Sequence, residues 1–298
     1  MLEPAPKRQG ELEQIVRPSV SYWQDAWRRL KKNRLAMLGL FMVIFLAVVA
    51  IFGPMVSPYG YDDQDYAHSD EGPSWAHPFG TDRLGRDLLV RVLYGARISL
   101  SIGLVSSLIN LTIGVAYGAI SGFAGGRLDE AMMRVVDILY AIPTLLIVIM
   151  LMVVLGSGLT NIYIALGVSY WLTMARIVRG QILSIKEQEF VLAARLIGVP
   201  YWRILLRHLI PNAMGPIIVY STLSIPNAIF LEAFLSFIGL GVAAPMASWG
   251  TLASEGIQSM KSYPWQLFFP AAAISICLLG FNFLGDGLRD ALDPRLRK

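Results

Sequence analysis

Few residues in this chain could do chemistry, and their spacing argues against most of it. His68, His77 and His208 are the only imidazoles. Three of them around one ion would make an open zinc site of the kind that activates water. The apolar runs described below put His208 on the opposite side of a membrane from the other two, which excludes that site and leaves His68 with His77 as a weak metal pair. Asp62, Asp63 and Asp65 begin the oxygen alternation of a calcium loop, but the alternation stops and no glutamate stands at the twelfth place. A solvated loop is the better account. Gly239-Leu-Gly241-Val-Ala-Ala244 fits the loose dinucleotide pattern, yet it ends an apolar run and precedes Pro245 instead of joining a strand to a helix. A turn with close helix packing explains those glycines. The chain holds no Gly-Lys-Ser/Thr and therefore no P-loop, so it is not itself an ATPase. Its one cysteine, Cys277, can form no intrachain disulfide.

Two carboxylates stand inside apolar runs, where an ionisable group is costly unless it faces protein or water. Glu232, in IFLEAFLSF, either lines or gates a path together with Phe234 and Phe237, or ties its helix to a neighbour. Asp137 is expected to pair with Arg134, one turn earlier, or to reach the interface.

The elements that must position these groups are membrane helices. Charged residues make up 15% of the chain and hydrophobic residues 55%, and the mean hydropathy is +0.55. A soluble domain carries about 25% charged residues. Six stretches, 35–56, 98–122, 135–155, 161–178, 213–239 and 266–285, approach the roughly 20 apolar residues needed to span a bilayer. The fifth carries Pro226 and Asn227 in its middle, which neighbouring groups can accommodate. With the amino terminus inside, only Arg83, Arg86, Arg91, Arg97 and Lys261 of the 25 basic residues fall outside. That asymmetry places both termini in the cytoplasm. It also explains the basic balance without nucleic acid. The first apolar run follows a long charged tail and lacks a small-residue cleavage site, so it is expected to remain as an anchor.

This divides the chain into a cytoplasmic tail (1–34), a first span (35–56), an outer loop (57–97), a five-helix core (98–285) and a cytoplasmic tail (286–298). Within the first tail, SYWQDAWRRLKKNRLA can form a helix with Tyr22, Trp23 and Trp27 at the interface. In the outer loop, Leu88, Leu89, Val92, Leu93 and Ala96 fall on one helical face with Asp87 and Arg91 elsewhere, the pattern of a helix lying in the interface.

The polar segment EFVLAARLIGVPYWRILLRHLIPN (189–212) has the most specific punctuation. Good helix formers run to residue 197, Gly198 can take a left-handed cap, and Pro200 suits the first turn of a second helix. The spacing Ala193-Ala194-x3-Gly198-x12-Pro211 resembles the EAA loop of membrane subunits of ABC importers, with Leu192 where that family most often has Glu. FGTDRLGRDLLVRVLYGARISL (79–100), WLTMARIVRGQILSIK (171–186), FLSFIGLG (234–241) and FNFLGDGLRDALDPRLR (281–297) are similar to the C-type permease subunit of oligopeptide and dipeptide ABC importers, in the peptide/nickel group. The likeness extends from about Trp23 to the carboxyl end.

The resemblance implies an all-α polytopic fold of the type I importer kind, with six transmembrane helices and a cytoplasmic coupling helix in 187–212. Glu189, Ala193, Ala194, Arg195, Gly198, Val199 and Pro200 are then the residues meeting an ATPase. It further implies a heterodimer with a second homologous permease, two cytoplasmic ABC ATPases using ATP and Mg, an extracytoplasmic substrate-binding protein and a peptide cargo. Oligopeptide is favoured over dipeptide, with nickel and glutathione as alternatives. The chain itself is expected to bind no cofactor or metal, to touch lipid and to lie in a bacterial inner membrane. A proton-driven secondary transporter using Glu232 and Asp137 as relays is the competing class, but it would show more spans and an inverted repeat. A membrane scaffold or anchor is a third class, and it would need no folded loop of this spacing.

Overall fold

The structure is a computed structural model that describes residues 21–293. The expectations for 1–20 and 294–298 lie outside the described residues. Helices account for nearly all regular structure, and the only β pairing among the described residues is an isolated bridge between Thr81 and Asp87. The helices are α1 (Tyr22–Lys32), α2 (Arg34–Val56), α3 (Leu88–Ala124), α4 (Gly126–Tyr140), α5 (Thr144–Leu155), α6 (Leu159–Ile185), α7 (Glu189–Leu196), α8 (Tyr201–Ile204), α9 (Ile210–Phe237), α10 (Trp249–Ser259) and α11 (Trp265–Leu292). Five helical segments are long and apolar enough to cross a membrane, or six if the bent pair α4–α5 counts as one.

Several expected boundaries move. The segment 88–97 is no separate interfacial helix; it forms the first turns of α3, which runs unbroken for 37 residues. Asp87 caps that helix by accepting the Val90 N–H at 2.8 Å. Arg91, expected off the packed face, is 2% exposed. The expected straight span 135–155 is bent by 78° between α4 and α5. Pro143 explains the break, because it has no N–H and pushes Ile142 out of the helical region. Helix α11 continues past 285 to Leu292, so most of the expected tail 286–298 that is described is helical.

Helix α3 lies along α6, and glycines set the closeness of that contact. A Cβ added at Gly114 would stand 2.5 Å from Met174 Cβ. Likewise α2 meets α11 at Gly39, where a Cβ would come within 2.6 Å of the Gly280 carbonyl oxygen. Small residues at such crossings let backbones approach where no hydrophobic effect drives helices together.

The two ends of the bundle are built differently. At one end, called the cap end here, the loop 57–87 and α10 fold over α3 and α11. Trp249, 1% exposed, anchors this cap by donating from Nε1 to the Val92 carbonyl at 2.9 Å. At the other, the loop end, α7 rests on the ends of α3 and α6, with Val191 and Ala194 in a cluster with Phe123, Ile182, Ile185 and Ile204. Helix α1 sits at this end too, where the Tyr22 hydroxyl donates to the Leu292 carbonyl at 3.1 Å.

Candidate functional site

The loop between α6 and α9 shows why its punctuation is needed. Helix α7 ends with a paired cap in which the Val199 N–H donates to the Ala194 carbonyl and the Gly198 N–H to the Arg195 carbonyl, both at 3.0 Å. This closure requires a residue at positive φ, and Gly198 has φ of +78°. Pro200 then caps α8. The second helix does not stop at Pro211 as a separate short element. A π turn over Leu205–Leu209 carries it into α9, so that Tyr201–Phe237 is one continuous path. The wider turn accommodates a proline with no N–H to give, and the Asn212 side chain donates to the His208 carbonyl at 2.6 Å. The chain from α8 therefore runs without a break into the core.

The expected contact residues separate by exposure. Glu189, Ala193, Arg195, Gly198 and Pro200 are exposed, and Val199 is half-buried. Ala194 is buried against the chain itself, where its small side chain lets α7 settle onto the bundle. Leu192, Leu196 and Ile197 project outward, the last two 88% and 80% exposed. Leu196 and Ile197 were not singled out from the sequence, although their place just before Gly198 on a short helix is the signal. The loop is held by the Tyr201 hydroxyl on the Phe123 carbonyl at 3.2 Å and by Lys186 Nζ on the Gly122 carbonyl at 3.0 Å. An open cleft of about 350 Å³ lies between α7 and the end of α3, lined by Phe123, Lys186, Glu187, Arg195 and Tyr201.

A bidentate pair braces the same end. Arg179 Nε and Nη2 donate to Asp129 at 2.6 and 2.7 Å, and the Ser121 hydroxyl donates to Asp129 as well. Asp137 pairs with Arg176 at 2.8 Å instead of with Arg134. The bend at Pro143 and the packing of α6 beside α4 bring the cross-helix partner close, and that partner stands on another element, where sequence spacing cannot show it.

Glu232 is fully buried. Ser236 and Ser248 donate to its Oε1 at 2.7 and 2.5 Å, while Oε2 has no partner among the described residues. Ser248 also caps α10 by accepting the Thr251 N–H at 3.1 Å. Of the two readings open from sequence, this geometry carries the tie: Glu232 joins α9 to the cap. Phe234 and Phe237 lie nearby at the surface, 37% and 56% exposed. Just beyond, Gly239 at φ of +84° closes α9 with the same paired cap as α7, so the glycines there form a turn.

The cap end contains a charge network that sequence reasoning missed. Asp82 accepts the Leu84 and Arg86 N–H groups at 2.8 and 3.0 Å, Arg86 Nε at 2.7 Å and Arg91 Nη1 at 2.5 Å. Arg91 Nη1 also reaches Glu255 of α10 at 2.9 Å. Gln266 donates to Asp70 at 2.7 Å and to the Thr81 carbonyl at 3.0 Å. The two histidines of the cap each take a carboxylate: His68 lies 2.9 Å from Glu71 and His77 2.8 Å from Asp87. The hydrogen bond with Glu71 raises the His68 pKa above the ordinary imidazole value. No cluster of metal-ligating side chains forms among the described residues.

The architecture, a polytopic helical membrane protein with a capped loop continuous with a span, defines the class. The methionine ABC transporter MetNI, solved in inward-facing conformations, has a chain that superposes on this one with a TM-score of 0.56 at 20% identity, covering 68% of this chain and 96% of that one. The fold is thus of the type I ABC importer permease kind. The family model described as binding-protein-dependent transport system inner membrane component matches residues 114–298, and that of the N-terminal TM domain of oligopeptide transport permease C matches 21–73. The chain belongs to the binding-protein-dependent transport system inner membrane component family. It is 54% identical to the oligopeptide transport system permease protein OppC of Bacillus subtilis (strain 168), over 100% of this chain and 98% of that one. It is 53% identical to the dipeptide transport system permease protein DppC of the same organism, over 98% and 92%. OppC of Escherichia coli (strain K12) is 47% identical, over 93% and 92%.

Proposed function

We propose that this chain is the permease subunit of an ATP-driven peptide importer, oligopeptide in preference to dipeptide. In this reading it forms half of the translocation path beside a second homologous permease. The observation that supports a peptide importer is the 54% identity with an oligopeptide permease along the whole chain, beside 53% with a dipeptide permease; the preference for oligopeptide rests on sequence likeness, especially ARIVRGQ (175–181). Two cytoplasmic ABC ATPases bind ATP and Mg, since this chain has no P-loop of its own, and one of them receives α7 through Glu189, Ala193, Arg195, Leu196 and Ile197. ATP binding moves α7, and the continuous α8–α9 path transmits that movement to the outer end of α9, where access alternates. Phe234 and Phe237 border the path or its gate there, and Glu232 on the same helix ties that end of α9 to the cap through Ser248. An extracytoplasmic binding protein delivers peptide to the cap end. The basic asymmetry supports a cell-membrane location with both termini cytoplasmic. This reading asks for no cofactor in the chain itself.

Purification in mild detergent should yield two ABC ATPases and a second permease with this chain. Vesicles carrying the complex should accumulate peptide only with ATP and the binding protein. Uptake driven by a proton gradient without ATP would support the secondary-transporter alternative instead.

A further inference from the structure

Helix α1 is amphipathic in an unusual order. Its inner stripe, Tyr22, Ala26 and Leu30, packs on α9, α2 and α11, with Ala26 and Leu30 buried. The next stripe round the helix is Trp23 and Trp27, both about half exposed, and Lys31 Nζ sits 5.1 Å over the Trp27 ring. Beyond them Arg28 and Lys32 are exposed, as is Arg34 at the start of α2. The only acid of the segment, Asp25, pairs with Arg29 at 3.0 Å. Arg28, Lys32 and Arg34 make no hydrogen bond or ion pair among the described residues.

The level of this face is fixed by its neighbours. Asn33 ends α1 in an extended conformation and caps α2, accepting the Leu35 and Ala36 N–H groups at 3.1 Å. Helix α2 is a candidate membrane span that follows α1 after the single residue Asn33, and its first turns expose Leu35, Leu38, Phe41 and Phe45. The tie from Tyr22 to Leu292 holds α1 at the end of a second span. Aromatic residues beside the apolar surface, with cations one stripe further out, match a headgroup layer with negative charge above it.

We propose that the outward face of α1 binds acidic phospholipid, with Trp23 and Trp27 seated in the headgroup layer and Arg28, Lys31, Lys32 and Arg34 on the lipid anions. Charge complementarity selects the occupant, because Arg28, Lys32 and Arg34 on this face have no counter-charge among the described residues, and the step from α1 into α2 places it at the bilayer surface. The lipid so held supports the joint of α1, α9 and α11 at the end that carries the coupling loop.

The test uses the complete complex in phosphatidylcholine nanodiscs containing equal fractions of acyl-brominated phosphatidylglycerol or acyl-brominated phosphatidylcholine. The signal of Trp23 and Trp27 is the fluorescence difference between the native complex and a Trp23→Phe/Trp27→Phe complex. Brominated phosphatidylglycerol should quench it about threefold more than brominated phosphatidylcholine. The preference should vanish in Arg28→Gln/Lys31→Gln/Lys32→Gln, and also in the native complex at roughly 0.5 M salt, which needs no variant to fold. Equal quenching by both lipids would reject the charge-selective surface. Quenching by neither would mean that protein covers the face, which overturns the proposal as well.

Discussion

The cap end and the loop end of this bundle solve opposite problems with the same chain. At the cap end, polar groups find partners within the chain: four donors converge on Asp82, and Arg91 is 2% exposed between Asp82 and Glu255. At the loop end, the helix tip shows Leu196 and Ile197 almost fully exposed, held by a few ties behind them. Buried charges are tolerated only when paired and hydrogen-bonded, and the carboxylate of Asp82 and the guanidinium of Arg91 find their counter-charges inside the cap, although Arg91 Nε has no partner among the described residues. Adjacent large apolar side chains left exposed at a tip are the pattern of a surface that another body covers. The difference separates the part of the chain that pairs its charges internally from the part that, under the proposed function, a partner covers.

The largest effect is expected where that internal completion is broken. Asp82→Ala leaves Arg91 buried with Glu255 as its remaining counter-charge and removes the acceptor of two backbone N–H groups. Breaking a buried pair from one side costs about 3–5 kcal/mol. The cap should detach, and thermal unfolding of the detergent-purified complex should fall steeply or the complex should not be recovered. A near-native melting profile would show that the network does not hold the cap. Next in size is Glu232→Leu, which removes the acceptor of the Ser236 and Ser248 hydroxyls and should cost about 1–3 kcal/mol. Glu232→Gln keeps an acceptor oxygen and should be mild in yield. If the glutamine variant instead assembles normally but transports slowly, Glu232 acts on the path and the tie is secondary.

How far these ends could be read from sequence follows from what each signal measures. The first span was legible almost to the residue, expected at 35–56 and found at Arg34–Val56, because a bilayer demands an apolar run of defined length. Hydropathy reports where charge begins and not where a helix stops, so the start of α3 at Leu88 and the reach of α11 to Leu292 were missed. Prolines were ambiguous for a similar reason. Pro226 sits inside α9 while Pro143 breaks the α4–α5 path, although the two prolines have the same local chemistry. Gly198 was legible because few residues but glycine accept its conformation. Arg91 and Asp137 were misjudged because their partners, Asp82, Glu255 and Arg176, stand on other elements.

Gly198→Val sharpens the comparison from the loop side. A Cβ at Gly198 would meet nothing within 4 Å, so the substitution tests backbone conformation without a steric clash. Forcing a β-branched residue to φ of +78° costs about 1–3 kcal/mol, and the paired cap can relieve it only by tilting α7 away from α8. Membrane insertion should persist while stimulated ATP hydrolysis and transport fall. Normal stimulation would remove the cap from the account of coupling.

The smallest effect on folding is expected at the tip itself. Leu196 is 88% exposed and Ile197 80% exposed, so Leu196→Ser and Ile197→Ser should each change the stability of the chain by no more than about 0.5 kcal/mol. A surface that a partner completes behaves differently from one that faces water. Apolar anchors buried on association carry a disproportionate part of the binding free energy, and truncating one typically costs more than about 1 kcal/mol. The melting temperature of the chain purified alone should therefore stay constant, while recovery of the ATPase chains at limiting concentration drops several-fold. Two results would break the contrast. Unchanged recovery would mean that the tip is not a contact, and a lowered melting temperature without loss of recovery would mean that Leu196 and Ile197 serve the fold of the loop. The same substitutions introduced beside Glu232→Leu should add to it in thermal stability, since distant sites with no shared partner are independent. Transport should instead fall non-additively if α9 carries the state of the loop to the cap as proposed, and purely additive losses of transport would count against that path.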